Sequence, residues 1–237
     1  MNTSLWSMVV VVAAVGGWGR TTQGQTLIAR GHVDLGIVYE DGAWDLHVHQ
    51  EEPEEQEFAP AEATLQLGAA SALAGGVPSS PSATGFFGPA GSPLWMLPKT
   101  EDPDLPFLGI GAEEMSADDW TGSLTLRLED VRGPGNLFVW DVGGFGEIQP
   151  KFSSRDGISE ADALSVEAGS HAHFFWAFTA PGDYEVVVSA SGAHRVDGTV
   201  ESEAVAYRFQ VVPEPGTASL ALLGAVGLAW FRRRTVR

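Results

Sequence analysis

The chain has 237 residues, 31 acidic against 13 basic side chains, a formal net charge of -18 and no cysteine. The acidic balance excludes a nucleic-acid-binding role, because phosphate recognition requires a basic surface. The lack of cysteine excludes disulfides, thiolate metal ligands and cysteine nucleophiles, and 29 Gly with 14 Pro indicate a domain rich in turns.

The first predicted element is an export signal at residues 1–25. An apolar run from Met8 to Gly17 is followed by small and polar residues up to Gln25, which is the composition of a secretory signal peptide. No Lys or Arg precedes the apolar run, so a buried first strand is the alternative interpretation.

Residues 26–212 are predicted to form an all-β domain, an immunoglobulin-like antiparallel β-sandwich with long loop insertions. Apolar residues alternate with polar ones in segments such as 124–129, 184–188 and 205–211, and this period of two is typical of half-buried strands. Turn sequences containing Pro and Gly separate the segments.

Two stretches within this domain are predicted to lie outside the core. Residues 51–63 are rich in acid and proline, and residues 75–93 consist largely of Gly, Ser and Pro, so we expect surface loops at both places. No segment has sustained helical spacing, and the weak candidates for a short helix or turn are Ala112–Trp120 and Glu160–Leu164.

Five of the six histidines occur on segments with strand periodicity. Because alternate residues of a strand face opposite sides, each of these histidines is predicted to lie opposite large apolar side chains and to point away from the core. The residues on the polar faces are His32, Asp34, His47, His49, His171 and His173. His194 lies in a predicted hairpin tip and is not included.

If these strands are neighbours in one sheet, the six side chains form a candidate site for a divalent transition metal. Zinc takes four histidine or carboxylate ligands, and copper and nickel also suit imidazole. The alternative is a solvent-exposed face or a hydrogen-bonded structural cluster. Acidic residues at 101–104 and 116–119 could supply oxygens to calcium, but they lack the spacing of a known calcium loop.

The end of the chain, residues 213–237, is predicted to be a sorting signal with a transmembrane helix. Pro213, Glu214 and Pro215 precede an uncharged stretch of 16 residues, 216–231, which is about 24 Å long as a helix. The basic cluster Arg232, Arg233 and Arg234 follows at once and would remain on the cytoplasmic side.

This order of triplet, apolar stretch and basic tail resembles the PEP-CTERM sorting signal of Gram-negative bacteria. The resemblance implies export, a precursor anchored in the inner membrane, and cleavage near the triplet by an exosortase-type enzyme. Display at the cell surface or in the extracellular matrix would follow. A plain single-span membrane anchor is the alternative.

The middle of the chain resembles the choice-of-anchor M domains, which are related to a surface-anchored repeat. The matching segments are residues 31–49, 97–114 and 169–192. The resemblance implies a location on the bacterial surface. Residues 178–192 also resemble the last hairpin of immunoglobulin-like surface modules, in which Tyr184 would make a corner hydrogen bond.

These observations favour an exported, non-enzymatic protein with a structural or interaction role in the envelope or extracellular matrix. The alternative function is a cell-surface protein that binds a divalent metal such as zinc, for example as a scavenger for an uptake system. A metal-dependent enzyme is a third hypothesis, but the sequence contains no recognised nucleophile, zinc-protease or phosphate-binding motif.

Overall fold

The structure is a computed structural model and describes residues 25–213. Within this range the chain forms sixteen β-strands and one short α-helix, α1 (Pro81–Phe87). The strands are β1 (Thr26–Ile28), β2 (Gly31–Glu40), β3 (Ala43–Gln50), β4 (Gln56–Phe58), β5 (Ala63–Leu67), β6 (Trp95–Leu97), β7 (Pro106–Gly111), β8 (Leu124–Arg132), β9 (Leu137–Val142), β10 (Ile148–Ser153), β11 (Ala163–Val166), β12 (His171–His173), β13 (Phe175–Phe178), β14 (Gly182–His194), β15 (Gly198–Glu201) and β16 (Val205–Val211). The all-β prediction is therefore confirmed. The prediction that the strands are antiparallel is wrong in part, because β1 pairs with β5, β5 with β16 and β2 with β7 in parallel.

The strands form three sheets. A seven-stranded sheet has the order β1-β5-β16-β14-β8-β11, with β15 also paired to β14. A four-stranded sheet has the order β10-β9-β13-β6, and a five-stranded sheet has the order β12-β7-β2-β3-β4. The five-stranded sheet contains the histidine-bearing hairpin β2–β3 and also β12, which is far from that hairpin in sequence.

Alternating apolar residues of the seven-stranded sheet form much of the core. Leu124, Leu126 and Leu128 of β8 are buried, and so are alternating residues of β14 and β16, except that Val205 at the start of β16 is only partly buried. They belong to one buried cluster together with Val33 and Leu35 of β2 in the five-stranded sheet. Burial of this apolar surface is the main source of the stability that holds the sheets together.

The β2–β3 hairpin is closed by the two residues Asp41 and Gly42. Both have positive φ, 52° and 80° respectively, as a type I′ turn requires. An Asp-Gly pair meets that requirement at low steric cost, and the turn places Glu40 opposite Ala43. The same register then places Asp34 opposite His49.

The prediction of a surface loop at residues 75–93 is wrong in part, because the segment contributes to a second buried cluster. Ser80 begins α1 by accepting a hydrogen bond from the Ala83 backbone N–H at 3.3 Å, and Pro81 follows at the first helical position. The buried members of the cluster are Val77, Ala83, Phe87, Leu94, Phe138, Trp140 and Ala177. A two-turn helix within a Ser- and Pro-rich segment is too short to show a helical period.

Residues 51–63 are not wholly a loop either, since they include β4, whose Phe58 is buried. Of the two weak helix candidates, Ala112–Trp120 contains one 3₁₀ turn at Ala117–Asp119, and Glu160–Leu164 contains no helix. Among residues 25–213 no helix is long and apolar enough to cross a membrane. The predicted signal segment, apart from Gln25, and the predicted helix at 216–231 lie outside the described residues.

Candidate metal centre

One face of the five-stranded sheet carries all six predicted site residues. Asp34 on β2 pairs with Gly109 on β7 and with His49 on β3, while His173 on β12 pairs with Gly109 from the other side. The next row along the strands joins His171, Gly111, Gly36 and His47. Paired residues of neighbouring strands face the same side of a sheet, so the polar side chains form a compact grid.

Three histidines converge at the β12 end of this grid. His32, His171 and His173 each offer a ring nitrogen, and these nitrogens lie within 4.8 Å of one another. The ring centroids are 5.0 to 5.6 Å apart. The predicted convergence is thus present for these three residues, which we call the three-histidine group.

Two carboxylates orient the rings of this group. The Nδ1 atom of His32 lies 2.6 Å from Oε2 of Glu51, and Nδ1 of His171 contacts Oε1 of Glu113. A carboxylate that binds one imidazole nitrogen fixes the ring orientation and leaves the other nitrogen available, as is usual around metal-binding histidines. In His32 that other nitrogen, Nε2, lies 3.7 Å from Oδ1 of Asp34.

The site is more buried than the sequence pattern predicted. Asp34 and His47 were predicted to point away from the core, with a solvent-exposed face as one alternative, and as whole residues they are only 1% and 5% exposed. The physical reason is the shape of the polar face: glycines replace side chains beside them, and residues 113–114 and the segment after β3 lie over the grid.

The glycines are required by close approach. A Cβ atom at Gly109 would lie 2.1 Å from Oδ1 of Asp34, and one at Gly36 would lie 2.2 Å from Nε2 of His47. Real Cβ contacts are longer than this, so these positions provide the space into which the polar side chains fold. A Cβ atom at Gly111 would lie 3.1 Å from Oδ2 of Asp34.

Many of the buried polar atoms at the site have no hydrogen-bond partner within the described part of the chain. Seven of the eleven such side-chain atoms in residues 25–213 are concentrated here. They are Nε2 of His32, both carboxylate oxygens of Asp34, and both ring nitrogens of His47 and His173. A buried polar group without a partner costs about 1–3 kcal/mol, so their concentration on one face makes this face the candidate ligand site.

Burial also changes the proton affinity of these groups. Burial raises the pKa of Asp34 from 3.8 to about 6, although His32 and His171 act in the opposite direction. Burial lowers the pKa of His173 to about 4, so its ring is neutral near pH 7 and can donate a lone pair. The hydrogen bond to Glu113 raises the pKa of His171.

A separate group forms at the β3 end of the grid. His47, His49 and Glu114 offer ligand atoms within 4.8 Å of one another. Nε2 of His47 lies 3.9 Å from Oε1 of Glu114, and Nε2 of His49 lies 4.0 Å from Oε1 of Glu55. The six predicted residues therefore divide into two groups, and Asp34 lies between them.

Three participating carboxylates were not predicted: Glu51, Glu113 and Glu114. Glu51 was assigned to a separate loop, whereas it contacts His32 directly. The alternation of Gly109 and Gly111 with apolar residues on β7 was the available signal, because glycines on one strand face indicate close approach of other atoms. The acidic stretches 101–104 and 116–119 belong to no convergent group of three ligands within residues 25–213.

The site contains a small cavity of about 50 Å³, lined by Asp34, Gly36, His47, His49, Glu113 and Glu114, among others. A larger groove of about 640 Å³ lies elsewhere, beside β1 and β16, and its lining includes Arg132, Arg208 and Tyr184 but no histidine. That groove is open and lacks a convergent set of ligand atoms. The smaller cavity is therefore the better candidate for a metal site.

The end of the described chain leads directly into a recognisable signal. A family model described as the PEP-CTERM protein-sorting motif matches residues 211–234, beginning at the last residue of β16. The chain carries a PEP-CTERM sorting motif. This motif marks an exported, membrane-processed surface protein of Gram-negative bacteria and is a recognition signal for exosortase. Comparison with curated proteins and with solved structures finds no match.

Proposed function

We propose that this exported, surface-sorted protein binds a divalent transition metal ion through His32, His171 and His173, with Asp34 as a fourth ligand. The observation that carries the proposal is the convergence of three imidazole nitrogens within 4.8 Å beside the buried carboxylate of Asp34, whose oxygens have no hydrogen-bond partner in residues 25–213. A metal ion would supply the partner that these atoms lack.

The chemistry of the donor set favours a zinc-type ion. Three imidazoles and one carboxylate match the four-coordinate preference of zinc, with ligand distances of about 2.0–2.2 Å. Copper and nickel also accept imidazole, whereas calcium and magnesium prefer sites made wholly of oxygen. The carboxylate partners of His32 and His171 would hold the rings in place for the ion.

The proposed role is non-enzymatic, as a metal-binding module of the envelope or extracellular matrix. The cavity on this face of the sheet, beside His47 and His49, has a volume of about 50 Å³, whereas sites for small organic ligands usually measure about 300–1,000 Å³. This cavity can hold an ion with a water molecule but is too small for a substrate of ordinary size.

The route to the surface is part of the proposal. The precursor would be anchored in the inner membrane by residues 216–231 and cleaved near Pro213–Pro215 by an exosortase-type enzyme. We also propose that the domain is an immunoglobulin-like sandwich of the choice-of-anchor M type. In support, the Tyr184 hydroxyl donates a hydrogen bond of 2.8 Å to the Ala180 carbonyl, the contact expected of a tyrosine corner.

Calorimetric titration of the full-length protein with zinc tests the metal proposal. We expect saturable binding, and we expect the H171A/H173A double variant to lose at least about a hundredfold in affinity, more than is usual for removal of an outer partner. His194 is the matched control, because it lies outside the cluster and contacts Asp197 instead, so H194A should bind like the wild type. Absence of zinc binding by the wild type would refute the proposal.

A further inference from the structure

The group at the β3 end of the grid has the composition of a second metal site. His47 and His49 project from β3, and Glu114 follows β7, with one ligand atom of each within 4.8 Å of the others. Two imidazoles and one carboxylate are a ligand set found in zinc sites that keep a position open for water. None of these three residues belongs to the three-histidine group.

His47 provides evidence that is independent of this convergence. Its side chain is 7% exposed, and neither ring nitrogen has a hydrogen-bond partner within residues 25–213. The ring lies against Gly36, where any other residue would place a Cβ atom 2.2 Å from Nε2. A buried imidazole with both nitrogens unsatisfied is costly, and the lack of a side chain at Gly36 leaves the space that this ring occupies.

The cavity of about 50 Å³ lies at this second group. Its lining includes His47, His49 and Glu114, as well as Asp34. A volume of about 10–15 Å³ is enough for one water molecule, so the cavity has room for a cation and a bound water.

The ligand atoms of the two groups do not converge on one point. Within residues 25–213 no convergent set combines a residue of the second group with His32, His171 or His173. His171 and His173 on β12 lie three strand spacings from β3, about 14 Å, whereas His32 lies on β2, next to β3. Asp34 on β2 lies between them: its carboxylate belongs to convergent sets with His32 and with His171, and it also lines the cavity of the second group.

We propose that the protein binds two divalent metal ions, the second at His47, His49 and Glu114, with the Asp34 carboxylate facing both. The inference rests on the proposed function, since it treats the polar face as a metal centre. It adds a second ion, which exchanges at a different rate from the first. The second ion has three protein ligands, and the Glu114 side chain is 51% exposed. This ion therefore exchanges faster than the ion at the more enclosed three-histidine group.

Metal analysis of the full-length protein after equilibrium dialysis against zinc tests this inference. The wild type and the H194A control should each retain two equivalents. H47A/H49A and H171A/H173A should each retain one, and the equivalent left in H171A/H173A should pass to a coloured chelator faster than the equivalent left in H47A/H49A. Circular dichroism and thermal unfolding establish that each variant is folded.

Glu114 is exposed, so it can be substituted without a change in the buried part of the site, and this provides a second test. Loss of an outer partner of a metal ligand already costs about 10–100-fold in affinity. Because Glu114 is proposed as a direct ligand, E114Q should weaken binding of the second zinc ion by at least about tenfold and leave binding of the first unchanged. One equivalent in the wild type, undiminished in H47A/H49A, would overturn the second site and leave the proposed function intact. No bound zinc in the wild type would refute both.

Discussion

Asp34 on β2 lies directly opposite Gly109 on β7, and no side chain larger than hydrogen fits at position 109 without displacing the carboxylate. A Cβ atom there would lie 2.1 Å from Oδ1 of Asp34 and 3.0 Å from the ring of His173. We expect G109A to reduce zinc affinity at the three-histidine group by at least about tenfold, comparable to loss of an outer partner. Calorimetric titration measures the change.

The matched control for this substitution is G68A. Gly68 has a φ of -71° that alanine also adopts, and no atom lies within 4 Å of a Cβ built there. G68A should bind zinc like the wild type. Equal affinities for G109A and the wild type would show that the close approach to Asp34 has no part in metal binding.

Asp34 is expected to weaken the metal-free fold above pH 6. Its pKa is raised from 3.8 to about 6, mainly by burial, so the folded protein holds a proton that the unfolded chain has released. Stability is therefore lost as the pH rises from about 4 through about 6, and the loss approaches 3 kcal/mol at most, at about 1.4 kcal/mol per pKa unit. In the presence of chelator, D34N should be more stable than the wild type by about 1–3 kcal/mol at pH 7.5.

Denaturant unfolding at pH 4 and pH 7.5 measures this difference, which should vanish at pH 4, where the Asp34 carboxyl is largely protonated. Saturating zinc should reverse the order at pH 7.5, because an ion at about 100 times its dissociation constant stabilises the fold by about 2.7 kcal/mol. If D34N were less stable than the wild type without metal, Asp34 would have a structural role in the apoprotein.

Glu51 is expected to act through the His32 ring, since its Oε2 lies 2.6 Å from Nδ1. E51Q preserves the size of the side chain and removes its charge, so we expect zinc affinity to fall about 10–100-fold with little change in thermal stability. The neighbouring Glu54 is exposed and serves as the control through E54Q. Calorimetric titration measures the zinc affinity of both variants. Equal affinities for E51Q and E54Q would contradict a role for Glu51 in orienting His32.

Processing at the sorting motif should be visible in the mass of the mature protein. In cells with an active exosortase, we expect the surface form to end near Pro213–Pro215 and to lack residues 216–237. Intact-mass spectrometry of the surface fraction measures the terminus. A mature protein that still carried residues 216–237 would contradict cleavage and would favour a plain membrane anchor.

The sequence was sufficient to predict the strand faces in much of the chain. In β8 the buried leucines follow the period of two, and in β2 and β3 the residues opposite the histidines are buried. The Asp41–Gly42 turn is a further local signal, which was not used: a two-residue hairpin fixes the register that pairs Asp34 with His49.

The burial of Asp34 and the separation into two groups depended on contacts between distant segments. β7 pairs with β2 in parallel and β12 pairs with β7, although the paired residues are at least 60 positions apart in the sequence. Strand parity gives the face of a residue but not what covers that face. For this reason Glu113 and Glu114, which follow β7, could not be assigned to the site from local pattern alone.

The most direct measurement of the central claim is zinc X-ray absorption spectroscopy of the full-length protein loaded with one equivalent. We expect a first shell at about 2.0–2.1 Å with the outer-shell scattering of three imidazoles and one oxygen donor. H194A should give the same spectrum, and H171A/H173A should lose imidazole scattering. A wild-type shell made only of oxygen ligands would contradict metal binding by His32, His171 and His173.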